Sequence, residues 1–222
     1  MYALNMMRIA MELATYNPVY EDMAIKFFEH YLYIAEAMEN IGEDKQGLWN
    51  EEDGFFYDLL QLSNGASVNL KLRSIVVLIP LFAVEVVEHS MLEKLPEFKK
   101  RMEWVLKNKQ DLTKLVSQWY VEGEGNKHLL NILRKTKLTK VLTRLVDESE
   151  FLSDYGIRAM SKVYEENPFR FTVHGQEHVV HYTPAESDSR MFGGNSNWRG
   201  PIWFPINFLI VESLQRFHFF FG

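Results

Sequence analysis

Residues 1–40 read MYALNMMRIAMELATYNPVYEDMAIKFFEHYLYIAEAMEN, and their spacing decides the fold class. Counted from Met6, the apolar residues Ile9, Ala10, Leu13 and Ala14 recur at helical intervals, which predicts a helix over residues 2–16 with that stripe facing a core. Asn17 and Pro18 stop this helix and open the next. There Tyr20, Ala24, Phe27, Phe28, Tyr31, Leu32, Ala35 and Met38 repeat the spacing. Two amphipathic helices with so short a break form an αα-hairpin, so the chain reads as mainly α.

Working outward, Gly42 and Gly47 end the helices. A polar loop, a short aromatic strand at Phe55 to Tyr57, a Ser63-Asn64-Gly65 turn and a second strand near Val68 then predict a small β-hairpin. Pro80 suits a helical first turn, so a helix is expected from there to Val87. Another should follow Pro96, with Phe98, Met102, Val105 and Leu106 inward. Residues 109–127 lack a period and read as loop, and Leu138, Val141, Leu142 and Leu145 mark a further helix. Phe169, Phe171 and Val173 alternate with Arg170 and Thr172, His174-Gly175 turns the chain, and Val179 to Tyr182 return, which predicts a second hairpin. A glycine-rich loop from Gly193 to Gly200 leads into an apolar helix ending Phe219-Phe220-Phe221. No internal repeat emerges.

Composition narrows the function classes. Lys and Arg number 24 against 30 Asp and Glu in 222 residues, a net charge of −6, which argues against a nucleic-acid-binding protein. The 47% hydrophobic and 24% charged content is that of a globular chain. With no cysteine, thiolate metal sites, disulfides and cysteine nucleophiles are excluded. The longest apolar run, Ile75 to Val84, contains Pro80 and falls well short of the roughly 20 residues that span a bilayer. No membrane partner is expected, and without a secretion signal the expected setting is cytoplasmic. The chain opens inside an uncapped amphipathic helix and closes on three phenylalanines. We therefore expect residues 1–222 to be part of a longer domain cut at both ends, or a chain whose apolar ends self-associate or meet a partner.

Several stretches invite a chemical reading. His174-Gly175-Gln176-Glu177-His178 has the spelling of an inverted zinc-peptidase motif, but that chemistry needs both histidines on one helix face. Here the flanks alternate like strands, so a hairpin tip is favoured and no metal is assigned. Lys127, Arg134, Lys135, Lys137, Lys140 and Arg144 fall in a stretch without Asp or Glu and read as a solvated helix face rather than a phosphate site. Asn50 to Gly54 lacks the alternate ligands of a calcium loop. Two loops share one chemistry. Trp49 to Asp58 interleaves carboxylates with aromatics, and Gly193 to Trp203 combines amides, Arg199 and two indoles. Pyranose faces stack on such rings while hydroxyls pair with amides, carboxylates and guanidinium. Trp198 and Trp203 could equally serve as anchors of the last helix.

Asn195-Ser196-Asn197-Trp198-Arg199-Gly200-Pro201-Ile202-Trp203, followed by Asn207, resembles the late signature of glycoside hydrolase family 63, the family of processing α-glucosidases and mannosylglycerate hydrolases. Gly54-Phe55-Phe56-Tyr57-Asp58 resembles its middle motif. Met1 to Ala14, Glu150-Phe151-Leu152 and Gly156-Ile157-Arg158 are similar to other parts of it. The resemblance implies a mainly α fold that is part of an (α/α)6 barrel with short β-hairpins in its loops. It also implies an inverting glycosidase that needs one carboxylic acid and one carboxylate base. Neither of the family's catalytic motifs occurs in this chain; Glu51, Asp53, Glu186 and Asp188 match no catalytic position, so the catalytic residues stay unassigned and the chain alone is expected to be inactive. Sugar binding is what carries over, onto Asn195, Asn197, Trp198, Arg199, Gly200 and Trp203, with Asp58 as a buttress. The implied partner is an oligosaccharide or glucoside, and no cofactor is implied. A helical interaction scaffold and a carbohydrate-binding remnant without catalysis are the alternatives.

Overall fold

A computed structural model describes residues 1–41, 47–109, 118–123, 126–184 and 200–222. The chain sorts into two compact units: Met1–Gly47, Pro80–Thr136 and Val211–Gly222 form the first, Leu48–Ile79 and Lys137–Ile210 the second.

In the first unit the expected αα-hairpin is present, with α1 (Tyr2–Ala14) packed on α2 (Glu21–Glu39). Asn17 makes the break: its Oδ1 accepts from Val19 N at 3.2 Å and caps the short turn Pro18–Tyr20. The buried face of α1 is Leu4, Met7, Ala10, Met11 and Ala14, and the expected stripe is corrected, since Met6, Ile9 and Leu13 are exposed. Apolar residues cover more than one side of α1, so periodicity alone could not select the side that meets the core. On α2 the expected Ala24, Phe28, Tyr31, Leu32 and Ala35 are buried.

The helices α3 (His89–Lys94) and α4 (Pro96–Asn108) follow, and α4 buries Phe98, Met102, Val105 and Leu106 as expected. Phe28 and Phe98 meet edge to face with centroids 6.0 Å apart. The start of α4 has no local side-chain cap, and the carboxylate of Glu21 supplies one from α2, accepting from Glu97 N and Phe98 N at 2.9 Å each. The helix expected from Pro80 to Val87 is not formed. Ile75–Phe82 is a 3₁₀ stretch and Val84–Glu88 is strand β5. Three β-branched residues, Val84, Val86 and Val87, fit the pleat, and β7 (Lys127–Asn131) supplies the antiparallel partner. With β6 (Gln118–Gly123) they make a sheet in the order β5-β7-β6. The expected loop over residues 109–127 is therefore corrected at residues 118–123 and 127, while 110–117 and 124–125 lie outside the described residues.

The second unit is built from short antiparallel pairs around one helix. The pairs β1 (Trp49–Asn50) with β2 (Phe55–Phe56) and β3 (Asp58–Gln61) with β4 (Ser67–Leu70) hold the expected Ser63-Asn64-Gly65 turn. Helix α5 (Lys135–Leu145) buries Leu138, Val141 and Leu145, while Leu142 is half-buried. The pair β8 (Leu152–Ser153) with β9 (Gly156–Ile157) precedes the hairpin β10 (Phe169–Val173) with β11 (Gln176–Val180). His174 and Gly175 both have positive φ, 49° and 76°, the tight turn that the sequence predicts. The last helix, α6 (Phe204–Phe221), leaves Phe204, Phe208 and Val211 exposed along one row. Helices carry most of the regular structure, so the fold is mainly α with short strand pairs. Among the described residues no helix is long and apolar enough to cross a membrane.

Candidate functional site

The second unit is organised on a buried carboxylate. Asp147 starts the turn: its Oδ1 accepts from Ser149 N at 2.9 Å and Oγ at 2.6 Å, and its carbonyl accepts from Phe151 N and Leu152 N. The Ser149 hydroxyl and amide hold the Asp147 carboxyl below its usual range. This turn carries Glu150, 2% exposed, into the interior. Its Oε1 accepts from Arg73 Nη1 at 2.8 Å and Arg144 Nη1 at 3.0 Å, and its Oε2 from Ser161 Oγ at 2.6 Å. Both guanidinium carbons lie near the Phe55 ring, at 5.4 and 5.6 Å from its centroid. Burial works against the Arg73 charge, but Tyr57 and Glu150 outweigh it and hold its pKa above the ordinary value. Burial also pushes the Tyr57 hydroxyl up to about 12.

From this centre the backbone runs out as a shelf. Ser161 N donates to Arg73 O and Ile75 N to Ala159 O, so residues 73–75 lie along 159–161. Residues 158–159 in turn take up the segment after Gly200: Ala159 N donates to Pro201 O at 2.9 Å, and Arg158 bridges Ile202. The Arg158 guanidinium ties the turn below by donating to the carbonyls of Glu148, Glu150 and Leu152.

A cleft of about 580 Å³ opens beside this shelf, within the size range of small-molecule sites. One wall is Gly200–Ile202, another is Asp154 and Tyr155, and Glu148, Arg158, Lys162 and Tyr182 also line it among the described residues. Gly200 is buried at φ +128°, and a Cβ there would lie 2.2 Å from Tyr182 Cε2, so only glycine lets that ring seat on the backbone. Rings, the carboxylates of Glu148 and Asp154, cations and backbone groups thus line one space. Such a lining can stack on an apolar ligand face and exchange hydrogen bonds with hydroxyls.

Of the residues the sequence singles out, Gly200 lines this cleft. Trp203 follows at the start of α6, half-buried and outside the described lining. Asp58 opens β3, exposed and opposite Leu70, also outside the lining. Asn195, Asn197, Trp198 and Arg199 lie outside the described residues, as do Glu186 and Asp188. Glu51 is paired with Lys140 at 2.9 Å, and Asp53 with Lys71 at 3.2 Å. The aromatics of the 49–58 loop are interior: Phe55, Phe56 and Tyr57 are buried, so that stretch packs instead of offering an open platform. The basic residues are engaged as well, with Arg144 on Glu150, Lys140 on Glu51 and Lys137 over Trp49. His174 stands at a hairpin tip and His178 is paired with Phe171 on a strand. Among the described residues no cluster of three or more His, Asp or Glu is gathered as if for a metal ion. Sequence reasoning missed Asp154, Tyr155, Lys162 and Tyr182; the Asp154-Tyr155-Gly156 turn between β8 and β9 is the signal that could have drawn attention to them.

Residues 28–221 match the model of the glycosyl hydrolase family 63 C-terminal domain. The chain belongs to this family. It is also 47% identical, over 233 residues and the whole of its own length, to an uncharacterized protein of Saccharomyces cerevisiae. It spans about a fifth, 21%, of that relative's length. That alignment takes in α1, which lies ahead of the family 63 match. Glu150, its two arginines, the 156–160 shelf and the Gly200 wall all fall inside the family 63 match. The chain is thus a relative of the glycoside hydrolases, and family 63 membership implies a glycosidase in the parent family.

Proposed function

We propose that this chain supplies the saccharide-binding part of a family 63 glycosidase that cleaves α-linked glucosides, or a related oligosaccharide, by attack of water with inversion. The chain is one portion of a longer protein, with its helices contributing to an (α/α)6 barrel. The exposed rows Met6, Ile9 and Leu13 on α1 and Phe204, Phe208 and Val211 on α6 are the faces that neighbouring helices of such a ring would cover.

The observation that carries the reading is the cleft edged by Gly200 and Pro201, with Tyr182 seated on Gly200 and Asp154 and Tyr155 in the same lining. In this reading Trp198 and Arg199, next to Gly200 in sequence, contact the sugar, Asn195 and Asn197 pair with its hydroxyls, and Trp203 closes the apolar side. Asp58 buttresses the same end of the domain. Acid and base are assigned to no carboxylate of this chain, and isolated residues 1–222 do not turn over substrate.

The experiment is hydrolysis of α-linked glucose disaccharides by the full-length protein, followed by NMR of the first-formed anomer. The β-anomer is expected from an α-linked substrate. Arg199→Ala is expected to lower kcat/KM by about a hundredfold or more, the loss of a charge-assisted contact in a desolvated site, with the fold retained. Unchanged kinetics in that variant would refute the assignment.

A further inference from the structure

We infer that Asn207 is the positioning residue of this cleft: its side-chain amide pairs with the Ile157 peptide as a neighbouring strand would, and so spaces the Gly200–Ile202 wall from the Asp154–Tyr155 wall. The inference rests on the saccharide reading of the cleft and adds to it a residue outside the described lining.

Asn207 lies in the first turn of α6. Its Oδ1 accepts from Ile157 N at 2.7 Å, and its Nδ2 donates to Ile157 O at 3.1 Å and to Trp203 O at 2.9 Å. The amide can be oriented only one way, because turning it over would set a donor against the Ile157 N–H and an acceptor against two carbonyls. It is not a helix cap. A helix start has spare N–H donors in need of acceptors, and toward Trp203 Asn207 brings one more donor. What it does is join the stretch that follows Asp154 and Tyr155 to the end of the stretch that begins at Gly200, and both stretches supply lining residues. Ile157 stands two residues after Tyr155, and Trp203 ends the segment that Ala159 and Arg158 already hold at Pro201 and Ile202.

Gly156 is fitted to the same purpose. At φ +130° it turns the chain so that the Ile157 peptide faces Asn207, and a Cβ on it would come within 2.8 Å of Asn207 Oδ1. The backbone and the side chain are matched to each other with no room between them.

The test uses the full-length protein carrying Asn207→Ala, Gly156→Ala or both. The probes are maltose, isomaltose, nigerose and kojibiose, with affinity read by calorimetry and steady-state kinetics read on whichever disaccharide is cleaved. All measurements are made well below each variant's melting temperature. For a disaccharide that the unsubstituted protein binds, Asn207→Ala is expected to raise Kd and KM tenfold or more, with a smaller change in kcat. A purely structural role would reduce the folded fraction, lowering apparent kcat and leaving KM alone. Gly156→Ala, which attacks the same contact from the backbone, should also weaken binding. The double variant should be less impaired than the product of the two singles, because removing Oδ1 removes the nearest contact of the new Cβ and leaves the Ile202 Cγ2 contact at 3.2 Å and the strain of φ +130° common to both Gly156 variants. Unchanged Kd in folded Asn207→Ala, or singles that multiply in the double, overturns the inference and leaves the saccharide reading standing. Failure of the unsubstituted protein to bind any of the four removes that reading, and the inference with it. If Asn207→Ala does not fold, Asn207→Asp decides, since it keeps the acceptor for Ile157 N and sets an oxygen against the Ile157 and Trp203 carbonyls: tenfold weaker binding upholds the inference and unchanged binding overturns it.

Discussion

The two units of this protein are held together by different physics. In the first, Leu4, Met7, Met11, Phe28, Leu32, Phe98 and Met102 form one apolar cluster, and its buried carboxylates each serve one partner, Glu21 the start of α4 and Glu85 the Arg216 guanidinium. In the second, the buried apolar groups are accompanied by a carboxylate shared between two arginines and a serine. A cluster of the first kind tolerates change in proportion to the volume removed, whereas a buried charge network fails when one member is lost, because the others are left without a partner. The unit that bears the cleft is the one built in the less tolerant way.

The largest effect that would sharpen this contrast is expected from Glu150→Ala. It takes the buried carboxylate from Arg73 and Arg144 and leaves them the longer contacts to Asp53, at 3.5 and 3.4 Å, so urea denaturation should record a loss of about 3–5 kcal/mol. A loss under about 1 kcal/mol would erase the distinction between the units. In the first unit the matching polar deletion, Glu21→Ala, removes a charged cap from two amides and should cost about 1–2 kcal/mol in the same assay. A cost equal to that of Glu150→Ala would break the comparison from the other side.

The smallest effect concerns pH. Burial raises the Glu85 carboxyl above its usual range, and the opposing pull of Arg216 only reduces the shift. A carboxyl with a raised folded-state pKa favours folding in its protonated form. Its contribution is full below the unfolded pKa of about 4.3 and is lost as pH climbs through the folded value. Glu85→Gln should therefore flatten the fall in stability on going from pH 4 to pH 7, by about 1 kcal/mol or less. A steeper fall in the variant would mean that the pair with Arg216 outweighs burial.

The same contrast explains what could be read in the sequence. Helices α2 and α4 and the β10–β11 hairpin were legible because each is specified within its own segment, by the period of Ala24, Phe28, Leu32 and Ala35, by Pro96 ahead of Phe98 and Met102, and by His174-Gly175 between alternating strands. Strand β5 was not, since Pro80 and a run of valines fit two readings and the choice is made by β7, some forty residues on. The orientation of α1 depended likewise on partners outside it. The centre of the second unit was visible only in its pieces: Phe55, Tyr57 and Glu150 fall in stretches that resemble the family, but Arg73 and Glu150 are 77 residues apart and neither neighbourhood announces the pair. Of the cleft, the Gly200 wall was visible through its glycine and proline, while Tyr155 and Tyr182 come from separate loops that only the fold brings to one space.

The central claim is that a saccharide occupies the cleft beside Gly200. A crystal structure of the full-length protein soaked with glucose tests it most directly. The account predicts a pyranose against Tyr182 and Tyr155, within hydrogen-bond reach of Asp154 and of Arg199. Glucose bound elsewhere, with this cleft holding only solvent, would contradict it.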